Sequence, residues 1–220
     1  MSAKLDTAAE TGLQFFGKMS ASISHEIKNV LAVINENAGL LDDFTLMAQR
    51  GVPLDPARLN KLAATVQKHV SRGDGIIKKM NRLAHSIDQT VTSVDPAEII
   101  DLFISLTDRL TAMRSVAVEP KLHESTIKIK TSPFLLLNLL WLCLEFAMGA
   151  GSGAQRIELS TEQTATGLTI RFKQLSGLSD KKALDFPSES EMSLLDLLEA
   201  GLTVDPAGEE ILLKLPENIN

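Results

Sequence analysis

Two long stretches with helical periodicity, separated by a short break, constrain the fold of this chain most strongly. In residues 7–50, apolar side chains recur at steps of three and four residues, close to a heptad pattern. Residues 56–90 carry a second pattern of the same kind. The break between them, GVPLDP, ends the first helix and allows a second to begin at Pro56 with Asp55 as its N-cap. We therefore predict two long helices folded into an antiparallel hairpin.

The apolar seams of the two predicted helices indicate how the hairpin is completed. On the first helix the seam comprises Phe16, Met19, Ile23, Ile27, Val30, Ile34, Ala38 and Leu41, and on the second Leu59, Leu62, Val66, Val70, Ile77, Met80, Leu83 and Ile87. An isolated hairpin leaves half of each seam in contact with water. Pairing with a second copy of the chain buries that half, which predicts a homodimer containing a four-helix bundle. The alternative is that the C-terminal half of the same chain covers the seam.

The second half of the chain has a different pattern, with short strand-like and helical stretches. Asp95 is the predicted cap of a helix running to about Met113, and further helices are predicted at Phe134–Met148 and Glu191–Ala200. Strands are predicted at residues 116–118, 126–129, 156–161, 168–172 and 210–215. The expected fold class is α+β, with the helical hairpin in residues 1–92. An α/β sandwich with a mostly antiparallel sheet and helices on one face follows in residues 93–220.

Composition and charge exclude several classes of protein. Hydrophobic residues make up 44% and charged residues 23%, which is ordinary for a soluble globular protein, and the net charge of −6 without any Lys/Arg block gives little support for binding nucleic acid or anionic membranes. The longest apolar run, Phe134–Met148, contains Asn138 and Glu145 and is too short to span a bilayer. The N-terminus lacks the pattern of a secretion signal, and a lone Cys143 fits a reducing compartment. We expect a cytoplasmic protein that does not bind membranes.

Residues 24–29, SHEIKN, are the stretch that carries candidate chemistry. Ile23 and Ile27 lie on the predicted seam, and His25 is turned about 200° from Ile23 at about 100° per residue. A histidine of the helical core would occupy the seam, so the imidazole of His25 is expected to face solvent. The alternative is a solvent-facing histidine without a role.

Two neighbours of His25 are candidate catalytic residues. Glu26 can accept a hydrogen bond from one ring nitrogen and leave the other nucleophilic. Asn29, one turn further on, can orient a water at the atom that His25 attacks, and Lys28 adds positive charge. His25-Glu26 does not begin a zinc-binding His-Glu-x-x-His motif, because Asn29 occupies the fifth position. The remaining histidines, at 69, 85 and 123, form no metal-ligand set, so we expect no metal site.

Residues 19–34 resemble the H-box of the sensor histidine kinase family, in which the histidine is followed by a carboxylate and, three residues after it, by Thr or Asn. The resemblance implies that His25 is the phosphorylated histidine and Glu26 the adjacent acid/base. It also implies that Asn29 helps to dephosphorylate a partner's phospho-aspartate. The family often has proline at the position of Val30, and without it the helix should be less kinked.

The C-terminal half resembles the family's ATP-binding domain in its order of elements, but its motifs are eroded. Asn138 matches the first asparagine of the asparagine box, whereas Leu142 stands at the magnesium-binding position, and a leucine offers no oxygen to a hard cation. Lys173 stands where the adenine-binding aspartate is expected, and Gly177 is what survives of the following glycines. The comparison implies that the chain binds no ATP and has no cofactor of its own. Any Mg²⁺ is expected from a partner receiver domain.

A hairpin that carries a histidine, followed by a kinase-like domain without nucleotide, is similar in plan to the ChpT-like histidine phosphotransferases of alphaproteobacteria and the sporulation phosphotransferase of bacilli. This similarity implies a phosphorelay protein that moves phosphoryl groups between His25 and the aspartates of response regulator receiver domains. Three alternatives remain open. They are a phospho-aspartate phosphatase or non-catalytic regulator, an active kinase with a divergent ATP site, and a structural dimer in which the H-box has no function.

Overall fold

In a computed structural model the chain divides into two units. The structure describes residues 2–88, 90–121, 128–150, 155–178 and 185–219. One unit comprises residues 20–81, and the other comprises residues 1–19 and 82–220. His123, Glu124, the end of the Gly149–Gly153 loop and residues 179–184 lie outside the described part of the chain.

The unit of residues 20–81 is built from two helices, as the periodicity predicts. Helix α1 spans Ser2–Gln49 and helix α2 spans Pro56–Asp88. Gly51 adopts a positive φ of 82° directly after the first helix, a conformation that glycine accepts without steric cost. The Asp55 side chain accepts a hydrogen bond of 2.9 Å from the backbone N–H of Ala57, so Asp55 caps α2 as predicted.

Close packing between the two helices of this unit occurs at Gly73. A Cβ atom built on Gly73 would lie 3.3 Å from Cγ1 of Val30, which is buried. A glycine in the middle of a helix can permit either close packing or a bend. Here Gly73 permits the close approach of α2 to α1, and this packing is enough to explain the glycine.

The buried face of α2 matches the predicted seam only in part, since Leu83 is buried and other seam residues are exposed. Ile76 is 4% exposed, whereas Val70 and Ile77, which were predicted on the seam, are 54% and 50% exposed. On α1, Leu31 is 57% exposed, while Val30 is buried. The apolar surface of the two helices is thus wider than one chain covers, because each helix carries apolar residues on two adjacent stripes. The four-helix bundle requires a second copy and stays a prediction.

The second unit combines an additional set of helices with a mixed sheet. Its helices are α3 at Pro96–Ala112, α4 at Pro133–Ala150 and α5 at Glu189–Leu197. Its strands are β1 at Thr92–Val94, β2 at Val116–Lys121, β3 at Ile129–Thr131, β4 at Gln155–Thr164, β5 at Gly167–Lys173, β6 at Gly201–Asp205 and β7 at Glu210–Pro216. Helix α3 starts as predicted, with the Asp95 side chain accepting a 2.8 Å hydrogen bond from the Ala97 N–H.

The main sheet has the strand order β2-β4-β5-β7-β6, and β1 pairs separately with β3. Strands β2 and β4 are parallel, while the other pairs of the main sheet are antiparallel, as predicted for most of the sheet. On β4, Ile157 and Leu159 are fully buried and alternate with Glu158 and Ser160, so one face of the sheet is apolar and the other polar. The short strands β1 and β6 were not predicted.

Helix α4 forms the core of this unit. Its 18 residues, Pro133–Ala150, are long and apolar enough to cross a membrane by length and composition, with a mean hydropathy of 1.7, but 67% of the helix is buried inside the structure. Helix α4 contacts α3 and α5. The helix is longer than the predicted run Phe134–Met148, so the expectation that it is too short to span a bilayer was wrong. Its burial is nevertheless typical of the central helix of a folded domain.

Candidate functional site

The unit of residues 20–81 exposes the predicted phosphoacceptor. His25 is exposed on α1, whereas Ile23, two residues before it, is buried. The helical periodicity predicts this orientation, because two positions along an α-helix differ by about 200°. The imidazole is therefore accessible to a large reactant from solvent.

The other two predicted site residues, Asn29 and Glu26, differ in exposure. Asn29 is exposed one turn after His25 on the same side of α1, whereas Glu26 is half-buried and lies towards the seam. The side chains of His25 and Glu26 point in directions about 100° apart, because they are consecutive residues of a helix. No hydrogen bond joins His25 to Glu26 in the part of the chain that the structure describes. The arrangement brings an imidazole and an amide together on an open surface, with Lys28 and Ser24 also exposed beside them.

The position matched to the first nucleotide-binding asparagine is closed. Asn138 on α4 is 0% exposed, and its Nδ2 donates a long hydrogen bond of 3.4 Å to Oγ1 of Thr11 on α1. Its Oδ1 is buried and has no hydrogen-bond partner among the described residues. A Cβ on Gly12 would lie 3.0 Å from the Phe134 ring and 4.0 Å from Asn138 Nδ2. The start of α1 thus covers this side of α4.

Further contacts extend the packing of α1 along α4 within the same unit. The rings of Phe15 and Phe134 lie with centroids 5.8 Å apart. The ammonium of Lys18 lies 4.7 Å from the centroid of the Trp141 ring and 2.6 Å from an oxygen of Glu145. The contact runs over several turns of α4, from Phe134 to Glu145, so Asn138 lies in the middle of a helix–helix interface.

The two substituted positions of the nucleotide motifs are occupied by Leu142 on α4 and Lys173 on β5. Leu142 is half-buried on α4 and offers no oxygen to a cation. Lys173 lies at the end of β5, opposite Glu158 of β4. The pKa of the Glu158 carboxyl is lowered by the hydrogen bond from Lys121 and by the charge of Lys173. Lys173 is therefore part of a pattern of charges on the polar face of the sheet.

Other groups with possible chemistry occupy unremarkable surroundings. Cys143 is buried, and burial raises the pKa of its thiol, so it is not a reactive nucleophile. His85 is exposed and lies 3.3 Å from Asp88. His69 is half-buried, and its Nδ1 has no hydrogen-bond partner in the part of the chain that the structure describes. Among all the residues that the structure describes, no cluster of three or more His, Cys, Asp or Glu side chains could hold a metal ion.

The sequence analysis missed the residues that cover α4. Ala8, Thr11, Gly12 and Phe15 recur at three- and four-residue steps and are buried. This spacing was visible in the sequence and indicates a packed stripe at the start of α1. The heptad-like pattern that begins at Phe16 continues this stripe on the same helix, so periodicity alone does not separate the part that packs on α4 from the hairpin.

No protein-family model and no curated protein matches the chain. Among solved structures, it is similar to the histidine kinase AdeS of Acinetobacter baumannii, with a TM-score of 0.49 and 12% identity over 89% of this chain and 98% of that one. It is also similar to the histidine kinase ThkA in complex with the response regulator protein TrrA, with a TM-score of 0.46 and 15% identity over 93% of this chain and 63% of that chain. The ATP-binding domain of PrrB from Mycobacterium tuberculosis gives a TM-score of 0.46 and 19% identity over 58% and 98%. Because these TM-scores are below 0.5 and the identities are below 20%, the similarity is no basis for assigning a function to this chain.

Proposed function

We propose that this chain is a cytoplasmic histidine phosphotransfer protein of a two-component phosphorelay, with the plan of the ChpT-like phosphotransferases. The exposed pair of His25 and Asn29 supports a reaction with a docked protein. The observation that carries the choice against a kinase is the burial of Asn138, which is 0% exposed beneath α1. A nucleotide cannot contact that side chain while Thr11 and Gly12 cover it.

The proposed reaction is a reversible in-line phosphoryl transfer. The lone pair of an unprotonated ring nitrogen of His25 forms the N–P bond while the P–O bond to the partner's aspartate breaks, and the electron pair of that bond leaves with the carboxylate. The proton on the other ring nitrogen stays in place. The reverse reaction on a second receiver domain regenerates the free imidazole. Mg²⁺ comes from the receiver's acidic pocket, and this chain needs no cofactor of its own.

Glu26 and Asn29 take supporting roles in this proposal. Glu26 makes no hydrogen bond to His25 in the described structure, and in this proposal its carboxylate turns to the imidazole during the reaction and fixes the tautomer of His25. Asn29 lies on the exposed side and can hold a water against a docked phospho-aspartate. The phosphatase alternative requires that Asn29 hold this water, and it does not require His25.

One experiment separates the three candidate activities. Wild-type protein is incubated either with a receiver domain labelled by ³²P-acetyl phosphate or with γ-³²P-ATP and Mg²⁺. A relay protein takes label from the receiver and none from ATP. Label from ATP identifies a kinase with a divergent site, whereas inorganic phosphate released from the receiver without any labelled protein identifies a phosphatase. Either of these results contradicts the proposal.

The proposal includes a homodimer whose four-helix bundle joins two antiparallel hairpins of α1 and α2. The apolar stripe next to the buried one supports it. On α1 this stripe contains Ile27 and Leu31, and on α2 it contains Val70 and Ile77, of which the last three are 57%, 54% and 50% exposed. A stripe of this kind exposed on two neighbouring helices is typical of a protein interface.

Replacing Ile77 by glutamate is expected to convert the dimer into a monomer, because two symmetry-related charges would be buried without partners. Size-exclusion chromatography with light scattering measures the mass. The matched control is Lys78→Glu, which changes the neighbouring, exposed position. A wild-type protein that is already monomeric at tens of micromolar, or an unchanged mass of Ile77→Glu, contradicts the dimer.

A further inference from the structure

Two cations on α2 share a flank of the hairpin with His25. The buried or half-buried positions of α2 include Gly73, Ile76 and Met80, which form its inner face. Arg72 and Lys79 each directly precede an inner position, Gly73 and Met80 respectively. They therefore lie on one flank of α2, about 100° from the inner face.

The phosphoacceptor occupies the corresponding flank of α1. The inner positions of α1 include Ile23, Glu26 and Val30, which are buried or half-buried. His25 directly precedes Glu26, and Asn29 directly precedes Val30. When two right-handed helices run antiparallel, the flank that precedes the inner face on one helix meets the flank that precedes it on the other. His25 and Asn29 therefore lie on the same side of the hairpin as Arg72 and Lys79.

The contact between Val30 and Gly73 sets the level of these residues along the helices. The two positions face one another, with 3.3 Å between Val30 Cγ1 and a Cβ on Gly73. His25 is five residues before Val30, so its level on α2 lies five residues after Gly73, within one residue of Lys79. By the same count Arg72 lies about two residues, or roughly 3 Å, from the level of Asn29. The two cations thus flank the His25–Asn29 pair from the second helix.

An ion pair on the outer side of α2 distinguishes Lys78 from Arg72. Lys78 lies on the outer side of α2, where its ammonium is 2.7 Å from Asp74, and that hydrogen bond and charge raise its pKa. Arg72 is exposed and makes no ion pair among the residues that the structure describes. Lys79 is half-buried.

We propose that Arg72 and Lys79 form the cationic wall of the transfer site and neutralise the phosphoryl group as it passes between a partner's aspartate and His25. This inference rests on the proposed function and extends it to the second helix. A phosphoryl group in transfer spreads negative charge over its equatorial oxygens, and its stabilisation depends on positioned cations and donors. The planar guanidinium of Arg72 suits two phosphoryl oxygens at once, and Lys79 supplies a point charge on the level of the imidazole.

The test compares the maximal transfer rates of neutralised variants at saturating receiver. The probe is the purified receiver domain, labelled with ³²P-acetyl phosphate, that labels the wild-type protein fastest. We expect Arg72→Gln and Lys79→Gln each to lower the maximal rate about tenfold, the double variant about a hundredfold, and Lys79→Arg to restore most of the loss. Lys78→Gln is the matched control and is expected to stay within about twofold of wild type.

The outcomes separate this inference from the function on which it rests. A double variant that transfers within about twofold of wild type overturns the cationic wall and leaves the relay intact. A loss confined to the receiver concentration at half-maximal rate, with the maximal rate unchanged, also overturns it, because it indicates docking without charge neutralisation. A wild-type protein that never takes up label overturns both. Circular dichroism and molecular mass confirm that each variant keeps its fold and assembly.

Discussion

The His25→Ala variant is expected to lose phosphoryl acceptance completely. His25 is exposed on α1, and the proposed reaction forms its new bond at an imidazole nitrogen, for which alanine offers no replacement. Labelling by a ³²P-phosphorylated receiver is expected to fall below detection, at least about a thousandfold, as for the removal of other covalent nucleophiles. The surface position of the side chain means that the fold and the free energy of unfolding should change by no more than about 0.5 kcal/mol.

The control for this variant is His85→Ala, which removes an exposed histidine that lies near Asp88. It should accept phosphate at the wild-type rate. If the His25→Ala protein still drains phosphate from the receiver as fast as wild type does, then Asn29 and water act directly on the phospho-aspartate. The chain would then be a phosphatase.

Replacing Asn138 by aspartate is expected to destabilise the unit that contains α4 by about 3 kcal/mol or more at pH 8, because an ionised carboxylate would be buried without a cation. Asn138 is 0% exposed, and its Oδ1 already lacks a hydrogen-bond partner in the described structure. Urea denaturation followed by the fluorescence of Trp141, the single tryptophan, reports on this unit. An exposed nucleotide pocket at this position would make the change nearly neutral.

The free energy of unfolding of the Asn138→Asp variant is expected to fall as the pH rises. Burial raises the folded-state pKa of the introduced aspartate above its unfolded value of about 3.9. Between those two values the folded state binds more protons, so the stability of the variant falls as the pH rises through that window. The deficit relative to wild type should therefore shrink towards pH 4. The isosteric control Asn138→Leu should be close to wild type or more stable, without this pH dependence. A pH-independent Asn138→Asp variant of wild-type stability would show that α1 does not cover this face.

Local sequence patterns predicted most of the helices and strands, because the formation of a helix or strand depends largely on residues that are close together in the sequence. The two helices, the Asp55 and Asp95 caps and the antiparallel part of the sheet follow from periodicity and capping chemistry. Strand β6, Gly201–Asp205, was missed because it contains only two apolar side chains and is paired at one edge only. Its formation depends on pairing with β7, which is a tertiary contact.

The candidate site was predictable only where one helix carries it. The exposure of His25 and Asn29 follows from their angle to Ile23 on a single helix. The burial of Asn138 against Thr11 joins residues that are far apart in the sequence, so helical periodicity could not supply it. The same limit applies to Val70 and Ile77, whose place on an outer stripe depends on the rotation of α2 against α1.

The location of phosphorus after a single turnover with a phosphorylated receiver, in the absence of ATP, decides whether His25 carries the phosphoryl group. Phosphorus-31 NMR and peptide mapping of the stopped reaction identify the linkage and the residue. We expect a phosphoramidate on His25, stable to base and labile to acid, whose phosphoryl group passes on to a second, unphosphorylated receiver. Phosphate that leaves the receiver and appears only as the inorganic ion, with His25 unmodified throughout, would contradict this expectation.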